Sequence, residues 1–359
     1  MIELYRSIKQ RIGEINFNEI FPDFHIFKFA LYNKKTVYFD EKTIPYDNRF
    51  LGNATIKYDG ENIAIWCVEG NDESDYDILA SKIVHEMFHA FQCERGETRF
   101  PHDLLTLRYP MNAKNFEIKH FENLLLTEAC VDVDIGKKNS ILKDVAAHRN
   151  LRKEIIGEEM LNCELFTETI EGMAEYAGCM ALKQLSEKKF KSEIEKYIDI
   201  LTSDFDMILD IRKISYYVGA ILCIVLSESD KKFKSGIGEG IKQPIFNYCL
   251  ENKYVNKDLE TIHYPEIAIN CGALDGKRRE KIAQYGFFKH GNKTLYPSKI
   301  CGYDPMNMMR VDNNILCTNF IILKKAEMEP LFLDGPILLE LNDGTSDDVI
   351  AYYKRSAQI

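Results

Sequence analysis

The chain has 359 residues and a formal net charge of −10 at neutral pH. That length can bury a large core and hold one large and one smaller region. The acidic balance, with no long run of Lys or Arg, argues against a nucleic-acid backbone or lipid headgroups as partner. The opening residues Met1 to Arg6 lack the apolar core of a secretory signal, and no later stretch reaches membrane-spanning length. A cytoplasmic protein acting on small or peptide substrates is therefore expected, with no nucleic-acid and no membrane partner.

Taken in chain order, residues 25–68 alternate and turn like a small antiparallel sheet. His25 to Tyr32 and Thr36 to Phe39 form one strand pair. Ala54 to Tyr58 and Asn62 to Val68 form a second, joined across the turn dipeptide Asp59-Gly60. From Asp77 to Leu250 helical periodicity dominates, with amphipathic segments near 118–135, 139–158, 164–188, 191–202 and 205–228. Beyond Asn252, runs such as Ile315 to Leu323 and Pro336 to Leu341 read as strands. The chain is thus an α+β protein, with a helical region over 1–251 that includes the first sheet and a smaller β-rich region over 252–359. No linker is evident, so the two parts pack together. The ten cysteines are scattered singly, without a CxxC pair, and read as reduced thiols, mostly buried.

The segment His85-Glu86-Met87-Phe88-His89 carries the chemistry. Ala80, Val84, Met87, Phe88 and Phe91 mark an amphipathic helix that Ser74 or Asp77 can start and Gly96 can stop. On such a helix both imidazoles project from one face, one turn apart, and can bind one Zn²⁺ with Glu86 beside it as general base.

A catalytic zinc usually takes a third protein ligand. Glu171 and Glu175 lie one turn apart on a helix whose Gly172 and Gly178 permit close packing. There Glu171 can ligate the metal while Glu175 accepts a hydrogen bond from the far nitrogen of a ligating histidine. Glu128, with Asp132 four residues on, is the rival third ligand, and it can otherwise line the cleft. Tyr216, with Arg212 one turn before it, is a candidate to stabilise a developing oxyanion. The strand Asn62 to Val68 is a candidate to pair with an extended substrate.

These residues resemble the gluzincin metallopeptidases, in which HExxH on one helix is joined by a glutamate from an E-x-x-x-D pattern on a second. His85, Glu86 and His89 match the first motif and Glu171 the ligand position, while Glu175 stands where an aspartate is usual. More closely, His85 to Gln92 together with Glu171 to Tyr176 look like bacterial proteins of HExFH…EGxAEY type. The resemblance falls on Glu171 rather than Glu128 and implies a metallopeptidase-like, zincin-like fold with a Zn²⁺ cofactor, without supplying a substrate; the leading expectation from the zinc chemistry is a peptide or protein substrate. Zinc hydrolysis of a non-peptide amide or ester, or a non-catalytic zinc-stabilised binding protein, are the other readings of the same residues.

Overall fold

A computed structural model describes residues 1–69, 75–229, 232–250 and 263–355. Helix α1 (Ile2–Gly13) and a short α2 (Phe17–Ile20) lead into strands β1 (Phe29–Tyr32), β2 (Thr36–Phe39), β3 (Lys42–Pro45), β4 (Ala54–Tyr58) and β5 (Glu61–Cys67). The helical region comprises α3 (Tyr76–Glu94), α4 (Asp103–Thr106), α5 (Ala113–Val131), α6 (Ile135–Ile156), α7 (Glu158–Leu185), α8 (Glu187–Ser203), α9 (Ile211–Ser229) and α10 (Ile245–Leu250). Then come α11 (Pro265–Gln284), α12 (Phe287–His290) and strands β6 (Gly291–Tyr303), β7 (Met308–Val311), β8 (Asn314–Cys317), β9 (Phe320–Lys324), β10 (Leu331–Asp334), β11 (Ile337–Leu341) and β12 (Asp348–Arg355). The protein is α+β: a small sheet, a helical region and a C-terminal sheet.

The first sheet has the order β3-β2-β1-β5-β4. It is mixed rather than antiparallel, because the β4–β5 hairpin docks β5 parallel to β1, with Phe29 opposite Ala64 and Tyr32 opposite Cys67. The hairpin turns where expected: Asp59 and Gly60 both have positive φ, 49° and 89°, as a tight twisted turn requires. Pairing of β1 begins only at Phe29, so residues 25–28 are not strand. Since β5 is paired on both sides, the strand expected to receive substrate has no free edge. The edge belongs to β4.

One face of this sheet packs on α1 and α3, where Tyr5 stacks on Phe29 with ring centroids 4.4 Å apart and Ala64 joins Leu79, Val84 and Phe88 in the core. The very apolar stretch from Ile214 to Leu226 makes α9 the buried centre of the helical region. Helix α7 crosses α9 where two glycines face each other. A Cβ on Gly172 would lie 2.4 Å from the Gly219 Cα, and one on Gly178 would lie 2.9 Å from the Ser81 carbonyl oxygen of α3. Both contacts hold α7 against the helices that frame the cleft.

The C-terminal region is not β-rich throughout. Its first described element, α11, is a twenty-residue helix in which only Ile267, Cys271 and Ile282 are buried. Gly272 and Gly276 dilute its periodicity, although Pro265 supplies a normal start signal. The run from Ile315 to Leu323 breaks at Thr318-Asn319 into β8 and β9, which are not neighbours in the sheet order β10-β9-β6-β12-β11-β8-β7. Helix α4 is the joint between the regions: Leu104 enters the core of this second sheet, and Arg108 donates to the Gly344 carbonyl at 3.0 Å. Among the described residues no helix is long and apolar enough to cross a membrane, and the ten cysteines are all unbridged.

Candidate metal centre and cleft

Helix α3 begins at Asp75, not at Asp77, while Ser74 lies outside the described residues. The Asp75 carboxylate caps the helix by accepting from the backbone N–H groups of Asp77 at 3.0 Å and Ile78 at 3.2 Å. The chain leaves α3 at Gly96, whose φ of 71° is left-handed. Between these ends Ile83, Val84, Met87, Phe88 and Phe91 face the core, and His85, Glu86 and His89 line a cavity of about 620 Å³.

Across that cavity α7 brings Glu171 to the two histidines. His85 Nε2 and His89 Nε2 lie 3.2 Å apart, and Glu171 Oε2 lies 3.2 Å from the second and 3.7 Å from the first. Donor atoms at 2.0–2.1 Å from a tetrahedral zinc stand roughly 3.3 Å from one another, so this triangle has the size of one face of a zinc coordination shell. Among the described residues the group comprises these three side chains.

The outer ring of partners fixes which atoms face inward. His85 Nδ1 lies 2.8 Å from Glu175 Oε2, an obligate acceptor. His89 Nδ1 lies 2.7 Å from Gln92 Oε1, and the Gln92 amide is oriented because its Nε2 donates to the Ile170 carbonyl at 2.9 Å. Both Nδ1 atoms therefore carry hydrogen, and both Nε2 atoms of the neutral rings present lone pairs toward a carboxylate oxygen. Three converging lone pairs repel unless a cation or protons lie among them, and zinc fits this donor set.

The same electrostatics show in the proton affinities of the metal-free cluster. Burial opposes charge on His85, yet Glu171 and Glu175 raise its pKa well above the usual histidine value. The His89 pKa is also raised, burial again being outweighed by Glu171. Against burial, His89, His85 and Arg212 hold Glu171 well below the ordinary carboxylate range. Glu175 is lowered by His85 and by Tyr197, whose hydroxyl donates to Glu175 Oε1. Glu86 behaves differently: its carboxylate makes no hydrogen bond or ion pair among the described residues, and burial raises its pKa.

No protein-family model, curated protein or solved structure matches this chain.

The other candidates fall on both sides of the line. Tyr216 reaches the cavity, its ring parallel to His85 at 6.0 Å between centroids and its hydroxyl 3.3 Å from Arg212 Nη2. Burial raises its pKa well above the usual phenol value, so it remains a donor. Arg212 is not available to an oxyanion. Its guanidinium donates to Glu171 Oε1 at 2.8 Å and to Asp103, and so holds the carboxylate whose other oxygen faces the histidines. Glu128 does not line the cleft: it is half-exposed and pairs at 2.9 Å with Lys137, which also binds Asp132 at 2.7 Å.

Three contributors escaped sequence reasoning. Gln92 sits three residues after His89, a spacing that places it on the same helix face and was the available signal. Tyr197 reads as an ordinary core aromatic of α8. Thr55 of β4 donates from its hydroxyl to the Glu86 carbonyl oxygen, pinning the edge strand beside the motif.

Proposed function

We propose that the chain is a zinc-dependent hydrolase of peptide bonds with a zincin-like arrangement of sheet and motif helix, and that His85, His89 and Glu171 are its metal ligands. The observation that carries this reading is the triangle of three inward lone pairs at 3.2–3.7 Å, locked by partners on both histidine Nδ1 atoms. Three protein donors rather than four are the complement of a catalytic zinc site.

Zinc held there supplies a Lewis acid that polarises a carbonyl oxygen and brings the pKa of a water toward neutrality. Glu86 lines the same cavity with an unpaired carboxylate. It takes the proton from the attacking water and delivers it to the departing amine nitrogen, one carboxylate serving both transfers. Tyr216 donates its phenolic hydrogen to the carbonyl oxygen as negative charge grows on it. Arg212 and Asp103 position Glu171, and Tyr197 positions Glu175.

A peptide is favoured over a compact ester or amide by β4. Asn53, Ala54 and Thr55 line the cavity, and among the described residues no strand covers the outer side of β4, which leaves its backbone groups for an extended chain. The deciding experiment is metal analysis of the purified protein combined with peptide-library cleavage before and after chelation. Cleavage lost on chelation and restored by zinc supports the reading. Cleavage indifferent to chelator, or no zinc bound, overturns it.

A further inference from the structure

Beside the cleft lies a second cavity of about 390 Å³, which shares Asp103, Arg212, Pro305 and Met306 with the first as a common wall. One side is a face of α11: Leu274, Lys277, Arg278 and Lys281 recur at helical spacing and all line it. In a chain of net charge −10 this lining is cationic. Its carboxylates are already engaged. Asp103 pairs with Arg212, Asp206 with Lys277 at 3.1 Å, and Asp210 with Lys213 at 2.9 Å.

Two cations are left over. Neither Arg278 nor Lys281 makes a hydrogen bond or ion pair among the described residues. Arg278 is half-buried, and burial pulls its pKa below the usual arginine value, with Asp275 and Asp210 opposing only in part. A partly desolvated guanidinium without a hydrogen-bonded acidic partner is costly, and an incoming carboxylate relieves that cost through charge-assisted hydrogen bonds. Leu209, Ile211 and Met308 supply apolar wall for the stem that carries such a group.

We propose that this cavity is a carboxylate subsite, and that the substrates are peptides bearing an acidic side chain or a free C-terminal carboxylate within reach of Arg278 and Lys281. The word substrate rests on the hydrolase reading above; the anion site itself does not.

The test is fluorescence-anisotropy titration of the full-length, zinc-loaded chain in a Glu86→Gln background, which prevents turnover. The probes are dansyl-Ala-Ala-Gln-amide, its free-acid form, and dansyl-Ala-Ala-Glu-amide. At least one carboxylate-bearing probe should bind tighter than the neutral amide on the order of ten-fold. Which of the two responds identifies the terminal or the side-chain carboxylate as source. Arg278→Ala with Lys281→Ala should erase the preference with the circular dichroism unchanged, and Arg278→Lys alone should retain part of it. Absence of a preference, or its survival in the double variant, overturns the subsite. In parallel, the zinc-loaded wild type is assayed for cleavage of the same peptides and of a peptide library. A preference that depends on Arg278 and Lys281, with no cleavage of any peptide, supports the subsite and sinks the hydrolase reading instead.

Discussion

The role of Gln92 can be worked through quantitatively. Its side chain is fully buried and makes two bonds: the carbonyl oxygen accepts from His89 Nδ1 at 2.7 Å, and the amide donates to the Ile170 carbonyl at 2.9 Å. Gln92→Leu keeps the volume and removes both. The His89 ring then loses the partner that holds hydrogen on Nδ1, and the tautomer with hydrogen on Nε2, which cannot donate to a metal, becomes accessible. Loss of such an outer partner typically weakens metal binding by about 10- to 100-fold, or about 1.4–2.7 kcal/mol. Loss of the Gln92 bond to the Ile170 carbonyl, which keeps its own helical partner within α7, removes about 0.5–1.5 kcal/mol of stability in the metal-free chain. Zinc competition against a chromophoric chelator, with circular dichroism to verify the fold, reads the first quantity; urea unfolding reads the second. A folded Gln92→Leu chain with wild-type zinc affinity refutes the argument that Gln92 sets the His89 tautomer.

Three further outcomes are expected. Glu86→Gln should bind zinc as the wild type does and lose about 10²- to 10⁴-fold in turnover, measured as peptide cleavage with parallel metal analysis. Because nearby carboxylates raise the pKa values of His85 and His89 in the metal-free cluster, zinc must displace protons. Calorimetry in buffers of different ionisation enthalpy should therefore record proton release, and zinc affinity should fall as pH falls. The third outcome concerns Glu97, buried beside Arg99, which it binds through Nε at 2.8 Å while also accepting from the Gly238 N–H at 3.2 Å. Burial alone would raise its pKa, but Arg99 and the backbone donors outweigh burial and lower it. Its contribution is thus fully present above the unfolded carboxylate pKa of about 4.3 and is lost as pH falls through the lower folded value. Glu97→Gln should cost about 3–5 kcal/mol in urea unfolding near neutral pH, and the gap from wild type should narrow in acid.

The motif helix was legible because its pattern survives in one dimension: His85 and His89, four apart, share a helix face. The choice between Glu128 and Glu171 was not decided by pattern, since Glu128 with Asp132 satisfies E-x-x-x-D more fully. What separates them is tertiary: Lys137 follows α5 and ties both acids at the surface, whereas Gly172 and Gly219 let α7 approach α9 closely enough to carry Glu171 inward. The substrate-strand expectation failed for a related reason. Parallel pairing of β5 with β1 joins residues more than thirty positions apart, and the hairpin signal around Asp59-Gly60 says nothing of which hairpin arm remains outside. Helix α11 escaped because two glycines and an exposed surface leave it with few periodic apolar positions.

Helix α7 shows why the site and the fold cannot be separated. Glu164, Glu168, Glu171 and Glu175 recur at four-three-four spacing and form one continuous stripe, buried at the first three and partly exposed to the cavity at Glu175. Four carboxylates on so enclosed a stripe are untenable without counter-charges, and each half finds its own. Toward the N-terminus, Lys119 of α5 with Arg149 and Arg152 of α6 bind Glu164 and Glu168. Toward the C-terminus no lysine pairs with the stripe among the described residues. Glu171 has Arg212 on one oxygen and the two histidines on the other, and Glu175 has His85 and Tyr197. With both histidines neutral, Arg212 leaves Glu171 and Glu175 about one positive charge short, and its pairing with Asp103 widens that gap, so this half of the stripe suits a cation of the kind proposed above. The first half of the stripe is thus balanced by side chains that are always charged, whereas the second has only Arg212 of that kind and otherwise leans on His85 and His89, whose charge depends on the protons or ion they hold.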